Sequence, residues 1–232
     1  MPVARCEMTR LAWFLFGLAG FGTTLFAIEP APQKLRVAVL LYDGVQILDV
    51  AGPLEVFTGT TIDKEGKQQR AFEVYTVAER SGPVTANNAG KTFVPDYTLA
   101  AAPQPQILIV PGGDTASAEA NAALIAWIRR TSAGTEVTAS VCTGAFLLAK
   151  AGLLQGKPAT THGYFLDRLA GQYAGVDVKR DVRFVDAGRI VTAAGVSAGI
   201  DMALHLVERY HGRDTARRTA RVMQYEGTAW AP

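Results

Sequence analysis

Two cysteines and three histidines are all the thiol and imidazole groups this chain contains. With so few, no His/Cys/Asp/Glu group falls at metal-ligand spacing, and no disulfide framework can be built. Neither a G-x-G-x-x-G nor a G-x-x-x-x-G-K-[ST] pattern occurs, so the phosphate-cradling loops of nucleotide binders are missing. Metal ions and nucleotide cofactors are therefore not expected. An excess of one charge is lacking as well: 23 Lys and Arg stand against 21 Asp and Glu, a formal net charge of +2. With no block of like charges, the chain has no electrostatic footprint for nucleic acid. There is no internal repeat and no low-complexity segment. What is present is apolar material, 49% of 232 residues, which excludes disorder and supports a core that buries roughly 70% of the unfolded surface.

One long hydrophobic run exists. Leu11 to Ile28 carries no charge and follows Arg5 and Arg10. It reads as the apolar part of a secretory signal or as a short membrane anchor. Its length is near the minimum for a span and it contains three Gly and two Thr, which favours the signal. Ala27 is a small residue for cleavage, whereas Leu25 is not small. Met8 is an alternative start. Residues 1–31 are thus assigned to a signal peptide or anchor and 32–232 to one globular domain. The domain is exported, periplasmic or membrane-anchored, or cytoplasmic if the segment is not a signal. Contact with a membrane is expected only if residues 11–28 remain as an anchor. Removing residues 1–31 takes away two charges of each sign and leaves the net charge unchanged. Cys6 goes with them, so the single remaining thiol, Cys142, is either an inert buried group or a reactive one.

In the rest of the chain, short β-branched and Leu-rich runs alternate with helical patterns, the signature of βαβ units around a parallel sheet. Strands are expected at Arg36–Leu41, Phe72–Ala78, Gln106–Val110 and Glu136–Val141. Helices are expected near Ala118–Thr131, Thr143–Ala151, Tyr164–Gln172, Ala198–Tyr210 and Asp214–Gln224, the last with Asp214 as its N-cap. Hairpins are expected between Val84 and Pro95 and over Phe184–Ile190.

Ligands of open α/β sheets bind at the carboxyl ends of the strands, and three such ends carry unusual residues. In Ser140-Val-Cys142-Thr-Gly, a strand enters a helix directly through a cysteine. This is a nucleophile elbow, with helix amides placed to favour the thiolate. In Val110-Pro-Gly112-Gly113, two glycines follow a buried strand, and their amides could serve as an oxyanion hole; by itself the motif is also an ordinary turn. In Val45-Gln-Ile-Leu-Asp49-Val-Ala-Gly-Pro53, Pro53 fits the first turn of a helix and Asp49 the boundary before it, as a cap or as a proton-transfer group. His162 is a further candidate, as a partner that activates Cys142 or as a structural loop residue. His205 and His211 read as packing or surface residues. Tyr42, Val196 and Tyr164 are the candidates for pocket walls.

These segments, with Ala151-Gly-Leu-Leu-Gln-Gly-Lys-Pro-Ala-Thr-Thr-His162 and Ala194-Gly-Val-Ser-Ala-Gly-Ile-Asp201, resemble the ThiJ/PfpI (class I glutamine amidotransferase-like) superfamily. The resemblance is closest to its isonitrile hydratase branch and to the sensor domains of AraC-type regulators. It implies a flavodoxin-like three-layer α/β sandwich with a mostly parallel sheet, usually a homodimer acting on a small molecule without a cofactor. It further implies Cys142 as nucleophile, Asp49 as the proton-handling group and Thr143 beside them. In that chemistry a thiolate attacks the isocyanide carbon, and water resolves the thioimidate to a formamide. Thr143 replaces the His that follows the nucleophile in protease-like members, and Asp49 stands where deglycase-like members carry Glu. Gly163 stands where hydratase-like sequences carry Trp, and Thr58–Arg70 is longer than its counterpart. The other reading is a non-enzymatic sensor, redox or carbonyl-stress protein. The helix-turn-helix region of the AraC type is not expected, because no comparable segment follows the last helix.

Overall fold

A computed structural model describes residues 34–87 and 90–231. The expected signal or anchor, residues 1–31, lies outside them, as do Asn88 and Ala89 of the first expected hairpin. In chain order the elements are β1 (Leu35–Leu40), α1 (Ile47–Gly59), β2 (Thr61–Lys64), β3 (Lys67–Arg70), β4 (Phe72–Ala78), β5 (Val84–Thr85), β6 (Thr92–Phe93), β7 (Tyr97–Thr98), β8 (Ile107–Val110), α2 (Ala116–Ala120) and α3 (Ala122–Ala133). They continue with β9 (Val137–Val141), α4 (Gly144–Lys150), β10 (Pro158–Ala159), α5 (Leu166–Gln172), β11 (Asp177–Val178), β12 (Phe184–Asp186), β13 (Ile190–Ala193), α6 (Ala198–His211) and α7 (Arg213–Val222).

Seven strands form one sheet in the order β12-β13-β9-β8-β1-β4-β7. All neighbours are parallel except β12, which returns antiparallel to β13 at the edge. The central strands β8, β9 and β13 are buried at every residue, as a sheet covered on both faces requires. Helices α1, α6 and α7 pack together as one layer, and α2, α3 and α4 as another. Right-handed crossovers place them on opposite faces, because the chain leaves β1 toward β4 but leaves β8 toward β9. The strand order therefore reverses between β1 and β8, and the loops after these two strands part to leave a crevice at their carboxyl ends.

Several element boundaries differ from the sequence reading for identifiable reasons. Helix α1 starts six residues before Pro53, so the proline lies inside it rather than in its first turn. The helix expected over Ala118–Thr131 is two helices. Asn121 Oδ1 accepts from the amides of Ala123 (3.1 Å) and Leu124 (3.0 Å), capping α3 and ending α2. Residues Gly163–Phe165 form a 3₁₀ turn ahead of α5. Gly212, at φ +81°, precedes α7, which leaves Asp214 in the first turn instead of at the cap. Both hairpins are present, as β5–β6 and β12–β13. Thr58–Arg70, read only as a long segment, contains the β2–β3 hairpin. Among the described residues no helix is long and apolar enough to cross a membrane.

The elbow depends on close packing of α4 against the end of β8. A Cβ on Gly144 would collide with the Val110 carbonyl and approach Pro111 to 2.9 Å, all backbone atoms that cannot swing aside. By contrast, a Cβ on Gly171 in α5 would meet nothing within 4 Å. Gly144→Ala is expected to lower the unfolding free energy by about 1–3 kcal/mol through overpacking. Gly171→Ala is expected to leave it unchanged or raise it by up to about 1 kcal/mol. Urea unfolding of the two variants checks the pair.

Candidate active site

The chain turns from β9 into α4 at Cys142, whose φ of +57° is one of four positive values at non-glycine residues among those described. Such a conformation is costly and is held only where the surroundings enforce it. Here the Cys142 N–H donates to the carbonyls of Ala193 and Ala194, each at 3.0 Å. Its own carbonyl accepts from the buried Thr161 hydroxyl at 2.8 Å. Pinned from β13 and from the loop before the 3₁₀ turn, the side chain is presented at the crevice with 6% of the residue exposed.

Asp49 stands in the first turn of α1 and is completely buried. Its Oδ2 accepts the Gly112 N–H at 2.9 Å. Its Oδ1 has no hydrogen-bond partner among the described residues. Gly112 is the hub of this geometry. A Cβ there would lie 2.5 Å from the Thr143 nitrogen, 2.6 Å from Thr143 Oγ1 and 2.9 Å from Asp49 Oδ2, so the residue must be glycine for the three to converge. The Thr143 hydroxyl accepts the Gly113 N–H at 2.8 Å and donates to the Gly113 carbonyl at 2.9 Å. The Gln46 N–H donates to the Gly112 carbonyl, and the Asp114 N–H to that of Gly44, tying the loops after β1 and β8 together.

The structure therefore brings Asp49, Cys142, Thr143, Gly112 and Gly113 into one cluster, but corrects two expectations. The Gly112 and Gly113 amides are not an open oxyanion hole, because one is taken by Asp49 and the other by Thr143. Nor does the helix terminus produce a thiolate at rest. Burial, and after it the Asp49 carboxylate, push the Cys142 thiol from 9.0 up to about 12, although the Thr143 amide and hydroxyl favour the thiolate. The loss of water around sulfur outweighs both contributions from Thr143. Burial also pushes the Asp49 carboxyl from 3.8 up to about 7, against the opposing pull of Gly112 N–H and the Cys142 thiol. Between these two values the pair holds one proton, on sulfur, facing a carboxylate.

His162 does not join the pair. Its Nδ1 accepts the Tyr164 N–H at 3.2 Å and caps the 3₁₀ turn. Its ring lies so close to Gly195 that no side chain fits there, and the groups that shift the thiol are Asp49 and Thr143. Tyr42 is buried, donates to the Pro111 carbonyl at 2.9 Å and feels the charges of Asp49 and Cys142. Tyr164 is 91% exposed and forms no wall within this chain. Thr161 is a site residue that the sequence does not single out. It lies inside the quoted Ala-Thr-Thr-His segment, but a contact with a residue 19 positions away leaves no local signal.

The raised Asp49 carboxyl opposes folding once it ionises. Below pH 3.8 it is protonated in both folded and unfolded chains and has no effect. The cost accumulates as pH rises from there to about 7 and is complete above that. At 1.36 kcal/mol per pH unit it reaches about 4 kcal/mol at most. Asp49→Asn keeps an acceptor for Gly112 and is expected to stabilise the protein at pH 8 by up to that amount. The gain should vanish toward pH 4 in denaturant titrations, and a gain independent of pH would contradict the assignment.

The chain is 34% identical over 194 residues to isonitrile hydratase from Pseudomonas putida, covering 83% of this chain and 79% of that protein. It is 31% identical over 145 residues to the HTH-type transcriptional regulator CdhR from Pseudomonas aeruginosa, but spans 43% of that regulator. A ThiJ/PfpI family protein of known structure from Pseudomonas syringae superposes with a TM-score of 0.75 at 29% identity, covering 91% of this chain and 83% of that one. The DJ-1/PfpI family profile matches residues 35–209, which takes in β1, both glycines after β8, the elbow and most of α6, and the chain belongs to that family.

Proposed function

We propose that the protein is a cysteine-dependent hydratase of isonitrile-hydratase type, which adds water across the terminal carbon of a small isocyanide. The observation that carries this reading is the buried Asp49–Cys142 pair, a thiol beside a carboxyl group whose pKa is near 7. A proton-transfer group works best with a pKa near the operating pH. The Asp49 carboxylate takes the S–H proton as sulfur attacks the isocyanide carbon, and the resulting carboxylic acid returns it to that carbon. The product is a thioimidate, Cys142–S–CH=N–R. Water then adds to the C=N carbon, with Asp49 moving the proton to nitrogen. The C–S bond breaks, the thiol regains its proton, and an N-substituted formamide leaves. Water is the only co-reactant consumed.

Access supports a slender substrate. Only 6% of Cys142 is exposed, and a slender linear group such as –N≡C needs less room at a nearly buried sulfur than a branched carbonyl does. Thr143 positions rather than reacts, because its hydroxyl is held by both the N–H and the carbonyl of Gly113.

A non-enzymatic sensor is the second reading, favoured by the likeness to a transcriptional regulator. It would use the same crevice for binding without bond formation. A redox sensor is less compatible with the pair, because a thiol held near 12 is a poor target for oxidation.

Incubation with cyclohexyl isocyanide, followed by formamide detection, separates these readings. Wild type is expected to turn over, Cys142→Ala to give no more than the uncatalysed rate, and Asp49→Asn to lose about 10²–10⁴-fold in kcat/KM. The hydratase reading is falsified if wild type and Cys142→Ala form product equally. Because the active state requires the Asp49 carboxylate, kcat/KM should rise about tenfold per pH unit below about 7 and level off above it. Activity that instead falls through pH 7 would make Asp49 an acid only and overturn its role as base.

A further inference from the structure

At the opposite end of the sheet from Cys142 lies a cavity of about 380 Å³. It sits where α3 and α4 end and β13 begins, a strand length below the elbow. Three cationic side chains line it, Arg129, Lys157 and Arg189, together with the apolar Leu153 and Ile190, and no carboxylate does. None of the three cations takes part in an ion pair among the described residues, although nine such pairs involve other basic residues of the fold.

Two of the cations are fixed by carbonyl groups. Arg129 Nε donates to the Ala151 carbonyl at 2.8 Å. One terminal nitrogen of Arg189 donates to the carbonyls of Ser132, Ala133 and Thr135, at 3.1, 3.2 and 2.8 Å. These bonds orient the guanidinium groups while leaving the other N–H groups of each available. The helix ends supply about half a negative charge each. Against three full positive charges this leaves roughly two units uncompensated, the charge of a phosphate monoester. Lys157 is half-buried and lines the cavity, and among the described residues its ammonium donates to no protein group.

We propose that this cavity binds a phosphate ester with a short apolar portion, independently of the Cys142 site. The cations hold the phosphate oxygens by charge-assisted hydrogen bonds, and Leu153 and Ile190 receive the organic part. A soluble organic phosphate and a phospholipid headgroup share this chemistry.

Calorimetric titration of the full-length protein with sn-glycerol 3-phosphate, and sedimentation with phosphatidylglycerol and phosphatidylcholine vesicles, test the site. Saturable glycerol phosphate binding that Lys157→Glu and Arg129→Gln each weaken at least about tenfold identifies a soluble ligand. A preference for phosphatidylglycerol over phosphatidylcholine vesicles that is abolished by Lys157→Glu, without glycerol phosphate binding, identifies a headgroup. Cys142→Ala should change neither. Lys157 caps no helix, so its variant is expected to fold, and matching circular dichroism and melting curves verify that. If wild type binds neither probe, or binds them as the two charge variants do, the proposal is wrong.

Discussion

A carboxyl group with no counter-charge and only one backbone hydrogen bond governs the candidate active site. Asp49 is completely buried and held by the Gly112 N–H, so ionisation costs it the hydration that a surface aspartate retains. That cost brings its pKa to about 7, and its charge helps keep the Cys142 thiol protonated near 12. The surrounding geometry preserves this arrangement. Gly112 lacks the Cβ that would force Asp49 and Thr143 apart, and Gly144 lets α4 approach β8. The carbonyls of Ala193 and Ala194, with the Thr161 hydroxyl, hold the strained elbow in place. The proton shared by the pair therefore rests on sulfur, in contrast to sites that keep a free thiolate ready, and under the proposed hydratase reading it moves during the reaction.

Much of this was legible in the chain, for reasons that also explain what was not. Continuous apolar runs such as Ile107–Val110 mark strands buried on both faces, and the rule that ligands sit at strand carboxyl ends brings Cys142, Gly112, Gly113 and Asp49 together from the sequence alone. Residue type and position in a motif were enough for that. The direction of an N–H group is a different property. The paired glycines announced a close approach, and their amides then proved to be occupied by Asp49 and Thr143. The state of the thiol was misread because a helix terminus is visible in sequence and desolvation is not. Asn121 carried a usable signal, since an amide side chain inside a helical pattern is a competent cap. Thr161 carried none, because its bond to Cys142 is made only by the fold. His162 was ambiguous in sequence and was resolved by the partner of its Nδ1.

The two cavities at the ends of the sheet differ in their lining. Near the crevice, Asp49 and Asp114 act on Tyr42 together with Glu119, which pairs with Arg168, and Asp43 beside them pairs with Arg80. At the amino end, the last turn of α3 and the start of β13 present cations that complement the helix termini. Under the proposed hydratase reading, the neutral isocyanide would react at the first end, where a strong positive field would draw off the proton that Asp49 has to manage. The proposed phosphate ligand would take the second. The separation follows from the topology: helices that run back from the crevice point their negative ends away from it, and basic residues collect there.

Titration of the Cys142 thiolate by its ultraviolet absorbance reads directly where the shared proton rests, since Cys142 is the only thiol among the described residues and Cys6→Ser removes the other. With the proton on sulfur, absorbance does not rise as pH passes through 7 and rises only well above the ordinary thiol value of ~8.5. In Asp49→Asn the rise should move to lower pH, because the neighbouring negative charge is gone. A wild-type thiolate forming with a midpoint at or below about pH 7 would place the shared proton on Asp49 at rest and contradict the account.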